Sequence, residues 1–512
     1  MNQDFPWLTT LMLLPIVGGV VVALLPRKDG SALPKQVALG VSVLTLAVSV
    51  AVAVGYSPNG DRYQYTELTD WIKAFGAHYS VGLDGIGLTL VLLATVLTPI
   101  VMVASWNDGD AGRYSANAFF AWMLALEGLA IGVFVATDVL LFYVLFEATL
   151  IPVYFLIGGF GGANRSYAAV KFLLYNLFGG LLMLASVVGL YAESAKSEGG
   201  ATYLLSELSQ LDMGTNIERW LFIGFFVSFA IKAPIFPLHT WLPDAAEQAT
   251  PGTSVLMVSV LDKIGTFGMI RFCLGLFPNA SEWATPVVLA LATISVVYGA
   301  LVAIGQRNIP RLIAYTSVSH FGFIVMGIFV FNTLGQSGST LYMFNHGLST
   351  AALFLIGGFL VSRRGSALIE DFGGVEKVAP ILAGTFLIAG LSTLSLPGLS
   401  PFVSEFMVLA GAFQYDYWMA TIAVSAIVLA ALYILLMYQR TMTGPMRPEI
   451  TGMADLNRRE IAAVAPLVAM IIGLGLYPQP FLDAINPSVE HTLTHVGKED
   501  PAPTVGAEEG AE

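Results

Sequence analysis

The sequence predicts an all-α integral membrane protein with about 14 transmembrane helices. Of its 512 residues, 56% are hydrophobic and only 11% are charged. Soluble domains carry roughly 25% charged residues, so this composition excludes a soluble enzyme. The apolar segments are each about 20 residues long, which is the length that crosses a bilayer. They are continuously apolar and show no alternation of period two, which excludes a β-barrel.

The spans fall into groups along the chain. Residues 1–110 hold three N-terminal helices, 111–278 a first five-helix repeat, 279–442 a second five-helix repeat and 443–485 the last span. Residues 486–512 are polar and acidic, and we expect them to be disordered.

A broken helix is predicted in each five-helix repeat. The apolar run AIKAPIFPLHTWL of span seven can be laid against AGLSTLSLPGLSPFV of span twelve, and prolines interrupt both runs. Because five is an odd number, the two repeats are expected to insert with inverted orientation. Paired broken helices in inverted repeats indicate a transport site, since freed backbone groups need protein or water around them.

Basic residues are distributed unevenly between the loops. The odd-numbered loops hold fourteen of the 23 Lys and Arg residues, starting with Arg27, Lys28 and Lys35, whereas the even-numbered loops hold six. Positive charge marks the cytoplasmic side of a membrane. We therefore expect a multi-pass protein with both termini outside.

Ionisable side chains are also predicted deep inside the spans. A charge at the bilayer centre costs roughly 2.5–3.5 kcal/mol on insertion scales, so such residues indicate an ion or proton path. The candidates are Glu127, Glu147, Lys232, Lys263, His320, His346 and Glu405.

Most of these candidates also have a structural explanation. Lys232 can extend to the interface, and Glu147 and Glu127 can serve polar contacts between helices. The two histidines can be hydrogen-bonded core residues, and Glu405 can cap the second half of span twelve.

The remaining polar residues give weaker signals. Lys171 lies near a span end, where it can snorkel, and His239, Asp244 and Glu247 are expected at the interface. The single cysteine, Cys273, excludes an internal disulfide and a thiolate-bound iron–sulfur cluster. No nucleotide-binding glycine motif is present. We therefore expect neither a cofactor nor a metal on this chain.

Four long stretches carry a family resemblance. They are LLFYVLFEATLIPVYFLIG around Glu147, FAIKAPIFPLHTWLPDAAEQATPG around Lys232, LIAYTSVSHFGF around His320 and NHGLSTAALFL around His346. These stretches resemble the antiporter-like, proton-translocating subunits of respiratory complex I, the NADH:quinone oxidoreductase. At position 405 the sequence resembles the subunit M (chain 4) branch, which has glutamate there. Subunits L and N and the cation/proton antiporter subunits usually have lysine at this position.

The resemblance implies a role for each candidate. Glu147 would be the span-five acid, Lys232 its lysine partner, Lys263 the central lysine and Glu405 the terminal acid, with the two histidines as relays. Glu127 remains a candidate second acid. The chain would be a non-redox subunit of a bacterial cell-membrane translocase. NADH, FMN, iron–sulfur clusters and quinone would lie on other subunits, and the antiporter-like subunits L and N would be its neighbours.

The predicted mechanism is an ion-pair switch. A closed Glu147–Lys232 pair keeps the lysine protonated, whereas an open pair leaves a desolvated ammonium ready to release its proton. The proton would pass through water to Lys263 and then past the histidines to Glu405. Asp262 stands beside Lys263 where we expect an apolar residue. The alternatives are a subunit of a multi-subunit cation/proton antiporter and a solute carrier with a broken-helix site.

Overall fold

The fold is described from a computed structural model that covers residues 5–26, 32–197 and 199–500. Arg27 and Lys28, which contributed to the predicted topology, lie outside the described residues. The same holds for residues 501–512 of the predicted tail.

Helices make up most of the described structure. The first group is α1 (Trp7–Leu24), α2 (Leu33–Gly55) and α3 (Gly85–Ala104). The second group is α4 (Ala116–Val135), α5 (Val139–Phe160), α6 (Arg165–Ser194), α7 (Thr215–Lys232), α8 (Trp241–Gln248) and α9 (Pro251–Leu274). The third group is α10 (Pro278–Ile304), α11 (Ile309–Phe329), α12 (Thr333–Arg364), α13 (Pro380–Thr393), α14 (Ser400–Tyr415) and α15 (Tyr417–Met442). The last two are α16 (Arg458–Leu476) and α17 (Gln479–Val496).

Twelve of the described helices are long and apolar enough to cross a membrane. The pairs α7/α8 and α13/α14 form two further segments, each interrupted at the prolines seen in the sequence. Twelve and two give the fourteen segments that the sequence predicts.

Three helices that carry candidate residues, α9 with Lys263, α11 with His320 and α12 with His346, lie at the centre of the molecule. In the most apolar 18-residue stretch of α9, 100% of the residues are buried inside the protein. The corresponding share is 94% in both α11 and α12, compared with 28% in α2. A central helix has no lipid-facing side. Its polar residues can therefore be satisfied by other helices.

Two central helices depart from regular α geometry. Helix α5 is interrupted at Thr149, three residues before Pro152, which has no N–H to donate to this turn. Helix α9 contains two π-helical stretches, Leu256–Leu261 and Met269–Leu274. Such π turns are often found at functional sites.

The loop between α2 and α3 is a β-hairpin, which the sequence analysis did not predict. Strand β1 (Gln64–Ile72) pairs antiparallel with β2 (Ala77–Leu83), and Gly76 turns the chain at a φ of 61°. The strands were missed because aromatic residues in this loop also suit a membrane interface.

The predicted disorder from residue 486 is wrong for its first part, because α17 continues to Val496. Ile485, Val489 and Leu493 recur every four residues and are buried. This spacing places them on one face of the helix, and α17 packs on α3. The Ser488 hydroxyl accepts a hydrogen bond from the Gly85 N–H at 3.0 Å.

Candidate functional site

Lys263 lies fully buried in the middle of α9. Its Nζ donates to the Val258 carbonyl at 2.9 Å and lies 2.6 Å from His346 Nδ1. The ammonium also lies 4.9 Å from the ring centre of Phe321. Because Val258 belongs to the first π-helical stretch, the irregular turn supplies a carbonyl to hold the lysine.

Lys232 is the last residue of α7 and is also fully buried. Its Nζ lies 3.4 Å from the Thr149 hydroxyl, at the interruption of α5, and 4.3 Å from the ring centre of Phe146. No carboxylate of the described residues lies within 4.0 Å of this ammonium. The lysine is therefore held by a hydroxyl and an aromatic face.

Glu147 interacts with Lys232 electrostatically without forming the predicted ion pair. The carboxylate leans over Gly180 of α6, where an added Cβ would lie 1.9 Å from Oε1. Oε1 is buried and has no hydrogen-bond partner among the described groups. The two side chains are therefore apart in the structure, and the absence of a side chain at Gly180 leaves room for this position of the carboxylate.

His346 connects Lys263 to the second half of the molecule. Its Nε2 lies 3.2 Å from the Thr350 hydroxyl, and its ring lies 5.1 Å from that of His320. His320 in turn faces the backbone of Thr393, at the interruption between α13 and α14. The two histidines therefore lie between the central lysine and the second broken helix.

Glu405 lies on α14, just beyond that interruption, and is buried. Its Oε2 accepts hydrogen bonds from the Tyr342 hydroxyl at 2.5 Å and the Ser395 hydroxyl at 2.6 Å. Ser395 has a φ of 59°, a conformation that is uncommon outside glycine. Glu405 is not a helix cap here, because its carboxylate is held by side chains.

The predicted residues thus form a first cluster, Glu147 and Lys232, and a second that runs from Lys263 over the histidines to Glu405. Tyr342 joins the two ends of the second cluster, because its ring lies 6.0 Å from that of His320. Glu127 on α4 is buried, and neither carboxylate oxygen has a hydrogen-bond partner among the described groups. Among the residues that the structure describes, no hydrogen bond joins Glu127 to either cluster. Tyr342 was missed by the sequence analysis, although its spacing of four from His346 placed both on one helix face.

Lys171 has a partner that the sequence analysis did not predict. It forms an ion pair of 2.6 Å with Asp244 on α8. Asp244 also binds Arg311 at 2.6 Å, and Arg311 binds Glu247 at 3.0 Å. His239 is buried beside this network, so these residues connect α6, α8 and α11.

A second buried ion pair was also missed. Arg271, near the end of α9, binds Asp84 at 2.7 Å, and both side chains are buried. Asp84 also accepts a hydrogen bond from the Gly87 N–H at 2.8 Å and so caps α3. The residues are 187 positions apart, and no sequence pattern connects them.

The part of the chain that the structure describes contains no group of three His, Cys, Asp or Glu side chains arranged to hold a metal ion. The arrangement of lysines, histidines and carboxylates is instead suited to moving protons, because each group can bind and release one.

The comparison with protein families decides the family of this chain. A family model described as "NADH:quinone oxidoreductase/Mrp antiporter, TM" matches residues 136–430, more than half of the sequence. The chain belongs to this family.

Members of the NADH:quinone oxidoreductase/Mrp antiporter family match along almost the whole chain. NADH-quinone oxidoreductase subunit M of Mycobacterium tuberculosis is 53% identical, covering 98% of this chain and 97% of the relative. Subunit M of Rhodobacter capsulatus is 39% identical, covering 95% and 96%.

Solved structures of the family share the fold. A chain of respiratory complex I from Thermus thermophilus superposes with a TM-score of 0.87 at 30% identity, covering 96% of this chain and 100% of the other. A chain of the Mrp complex from Dietzia sp. reaches a TM-score of 0.81 at 20% identity, covering 96% and 100%. The second match shows the fold alone.

Proposed function

We propose that this chain is subunit M of a respiratory NADH:quinone oxidoreductase and translocates protons through its buried line of lysines, histidines and carboxylates. The observation that carries the proposal is the contact series from Lys263 to His346, His320, Tyr342 and Glu405. NADH, FMN, iron–sulfur clusters and quinone act on other subunits, so the chain contributes to the translocase without a redox centre of its own.

Proton loading begins at the Glu147–Lys232 switch. When the carboxylate approaches the ammonium, Coulomb attraction stabilises both charges in the low-dielectric interior. When it withdraws toward Gly180, Lys232 keeps only a hydroxyl and an aromatic ring as partners. The ammonium then releases its proton more readily, because burial disfavours the charged form.

Onward transfer uses the second cluster. A proton on Lys263 reaches His346 through the 2.6 Å contact between Nζ and Nδ1. The two histidines, whose rings meet edge to face, and the Tyr342 hydroxyl then lead to Glu405, which is the terminal acid. Neutral imidazole can accept a proton on one nitrogen and release one from the other.

The proposed setting is a bacterial cell membrane. The excess of basic residues in the odd-numbered loops favours both termini on the outside. The neighbours would be the antiporter-like subunits L and N, with Glu405 directed toward one of them. The two interrupted segments would correspond through inverted five-helix repeats.

A cation/proton antiporter subunit is the second candidate, because a chain of an Mrp complex shares the fold. Such a subunit needs no redox partner. Glu405 favours the first candidate on the residue pattern given above, and the 53% identity to a subunit M supports the same choice.

Lys232→Ala in the assembled complex tests the proposal. The variant removes the amine that takes up the proton. NADH-driven proton pumping and quinone reduction should therefore both fall below about one tenth of the wild-type rates, which corresponds to an activation free energy that is higher by roughly 1.4 kcal/mol. Pumping is followed by dye quenching in inverted membrane vesicles, and assembly is checked on a native gel.

Lys196→Ala serves as the control, because this lysine is exposed and its ion pair in the described part of the chain is with Glu193, three residues away. It should pump like the wild type. An assembled Lys232→Ala complex with normal pumping contradicts the proposal. Normal NADH oxidation with lost sodium or potassium tolerance identifies an antiporter subunit instead.

A further inference from the structure

The proposed path has a gap between its two clusters. Lys232 ends α7 and Lys263 lies within α9, and no hydrogen bond joins them among the described residues. A proton leaving Lys232 therefore needs an intermediate acceptor or a bridging water before it reaches Lys263.

Asp262 is a buried carboxyl at this gap. It has no exposed surface, and neither of its oxygens has a hydrogen-bond partner among the described groups. A buried polar group without a partner is costly and usually has a functional reason. The position precedes Lys263 directly and ends the first π-helical stretch, where the Asp262 N–H donates to the Met257 carbonyl at 3.0 Å.

Asp262 lies on the side of α9 that faces the end of α7, where Lys232 is. Residues three apart share a helix face, so Asp262 lies on the same face as Gly265. A Cβ added at Gly265 would lie 2.5 Å from the Ala233 nitrogen and 2.6 Å from the Phe229 carbonyl oxygen. This face of α9 therefore touches the end of α7, at the residue that follows Lys232.

Lys263 points to the other side of α9. Adjacent residues on a helix are about 100° apart, and the Lys263 side chain reaches His346 on α12. Asp262 interacts electrostatically with both lysines. The carboxyl thus lies between an ammonium on α7 and an ammonium that faces α12.

We infer that Asp262 relays the proton from Lys232 to Lys263, an inference that rests on the proposed function. The Lys232 ammonium gives a proton to the Asp262 carboxylate, which leaves a neutral amine and a carboxylic acid. The acid then protonates the Lys263 amine, once that lysine has passed its own proton to His346. One proton moves, and the Asp262 carboxylate is restored.

Asp262→Asn and Asp262→Leu test this inference in the assembled complex. Both remove the titratable group, so quinone reduction and pumping should fall together by about tenfold or more, as expected when a proton-transfer group is lost. Asp262→Glu keeps a carboxyl and should recover at least about half of the wild-type rate. The matched control is Asp483→Asn, which changes an exposed carboxyl on α17 and should leave the rate unchanged.

Thermal stability separates a relay role from a structural one. Burying a polar group that has no hydrogen-bond partner costs free energy, so replacing the Asp262 carboxyl by an apolar side chain of similar volume removes that cost. If Asp262 is a relay, Asp262→Leu complexes should therefore pump slowly and have a melting temperature equal to or above that of the wild type. A lower melting temperature of Asp262→Leu together with lost activity overturns the inference. Wild-type activity of Asp262→Asn also overturns it, and so does an Asp262→Glu variant that is as slow as Asp262→Asn.

Lys232→Ala, made in parallel, keeps this test distinct from that of the proposed function. If Lys232→Ala loses pumping while Asp262→Asn pumps at the wild-type rate, only the relay role of Asp262 is overturned. Normal pumping in both overturns the proposed function as well.

Discussion

At the scale of single residues, the Glu405 carboxylate depends on two hydroxyl donors. Tyr342 and Ser395 both donate to the same oxygen, Oε2. Hydrogen bonds to a charged acceptor are worth roughly 1.5–3 kcal/mol. The ionised form of Glu405 is therefore stabilised by one group on α12 and one at the interruption between α13 and α14. Each hydroxyl can be removed by deleting one oxygen atom.

Tyr342→Phe should slow NADH-driven pumping by about tenfold, the effect of losing roughly 1.4 kcal/mol of stabilisation. The measurement is the initial rate of dye quenching in membrane vesicles. Tyr433→Phe is the matched control, because the Tyr433 hydroxyl is buried and has no hydrogen-bond partner among the residues that the structure describes. Equal rates for the two variants would show that the Tyr342 hydroxyl has no part in the path.

At the scale of the helices, the packing of α6 against α5 decides where Glu147 can lie. Gly180 leaves a space that the Glu147 carboxylate occupies, and an added Cβ would lie 2.4 Å from its Cδ. The clash would involve the end of a flexible side chain. A larger residue at this position should therefore displace the carboxylate without separating the helices.

Gly180→Ala should leave assembly intact and lower pumping several-fold, because Glu147 loses its open position. Alanine also favours a helix over glycine by about 1 kcal/mol, so lost stability would not explain the result. Gly384→Ala on α13 is the control, since its added Cβ meets no atom within 4 Å. Wild-type pumping in Gly180→Ala would contradict the positioning role of this glycine.

At the scale of the whole molecule, the ion pair of Asp84 and Arg271 joins the start of α3 to the end of α9. Both groups are buried, and α17 packs against the same end of α3 through Ser488. Breaking a buried pair leaves one uncompensated charge, which costs about 3–5 kcal/mol. This contact therefore holds α3, against which the last helix α17 packs, to the central helix α9.

Arg271→Met should lower the melting temperature of the complex or prevent its assembly, because Asp84 stays buried and charged. Adding Asp84→Asn should recover most of the stability, since asparagine still caps α3. Native gels and thermal inactivation report both effects. Lys498→Ala, which breaks a more exposed pair with Glu282, should cost at most about 1 kcal/mol. A double variant no better than Arg271→Met would contradict this account.

The sequence by itself determined the membrane class, the fourteen segments and the candidate residues, all of which are buried except Glu147, which is partly buried. Apolar length and the cost of buried charge are local properties, so they can be read from Glu147, Lys232 or Lys263 without knowing their neighbours. The prolines also marked both interrupted helices correctly, because proline acts on its own turn.

Only the tertiary structure decided which groups touch. Lys232 meets Thr149 rather than Glu147, Lys171 meets Asp244, and Glu405 meets Tyr342. These contacts join residues 63 to 83 positions apart, where neither helical period nor composition specifies a partner. Side-chain pairing across helices depends on packing and on the rotation of each helix, and both are set by the whole bundle.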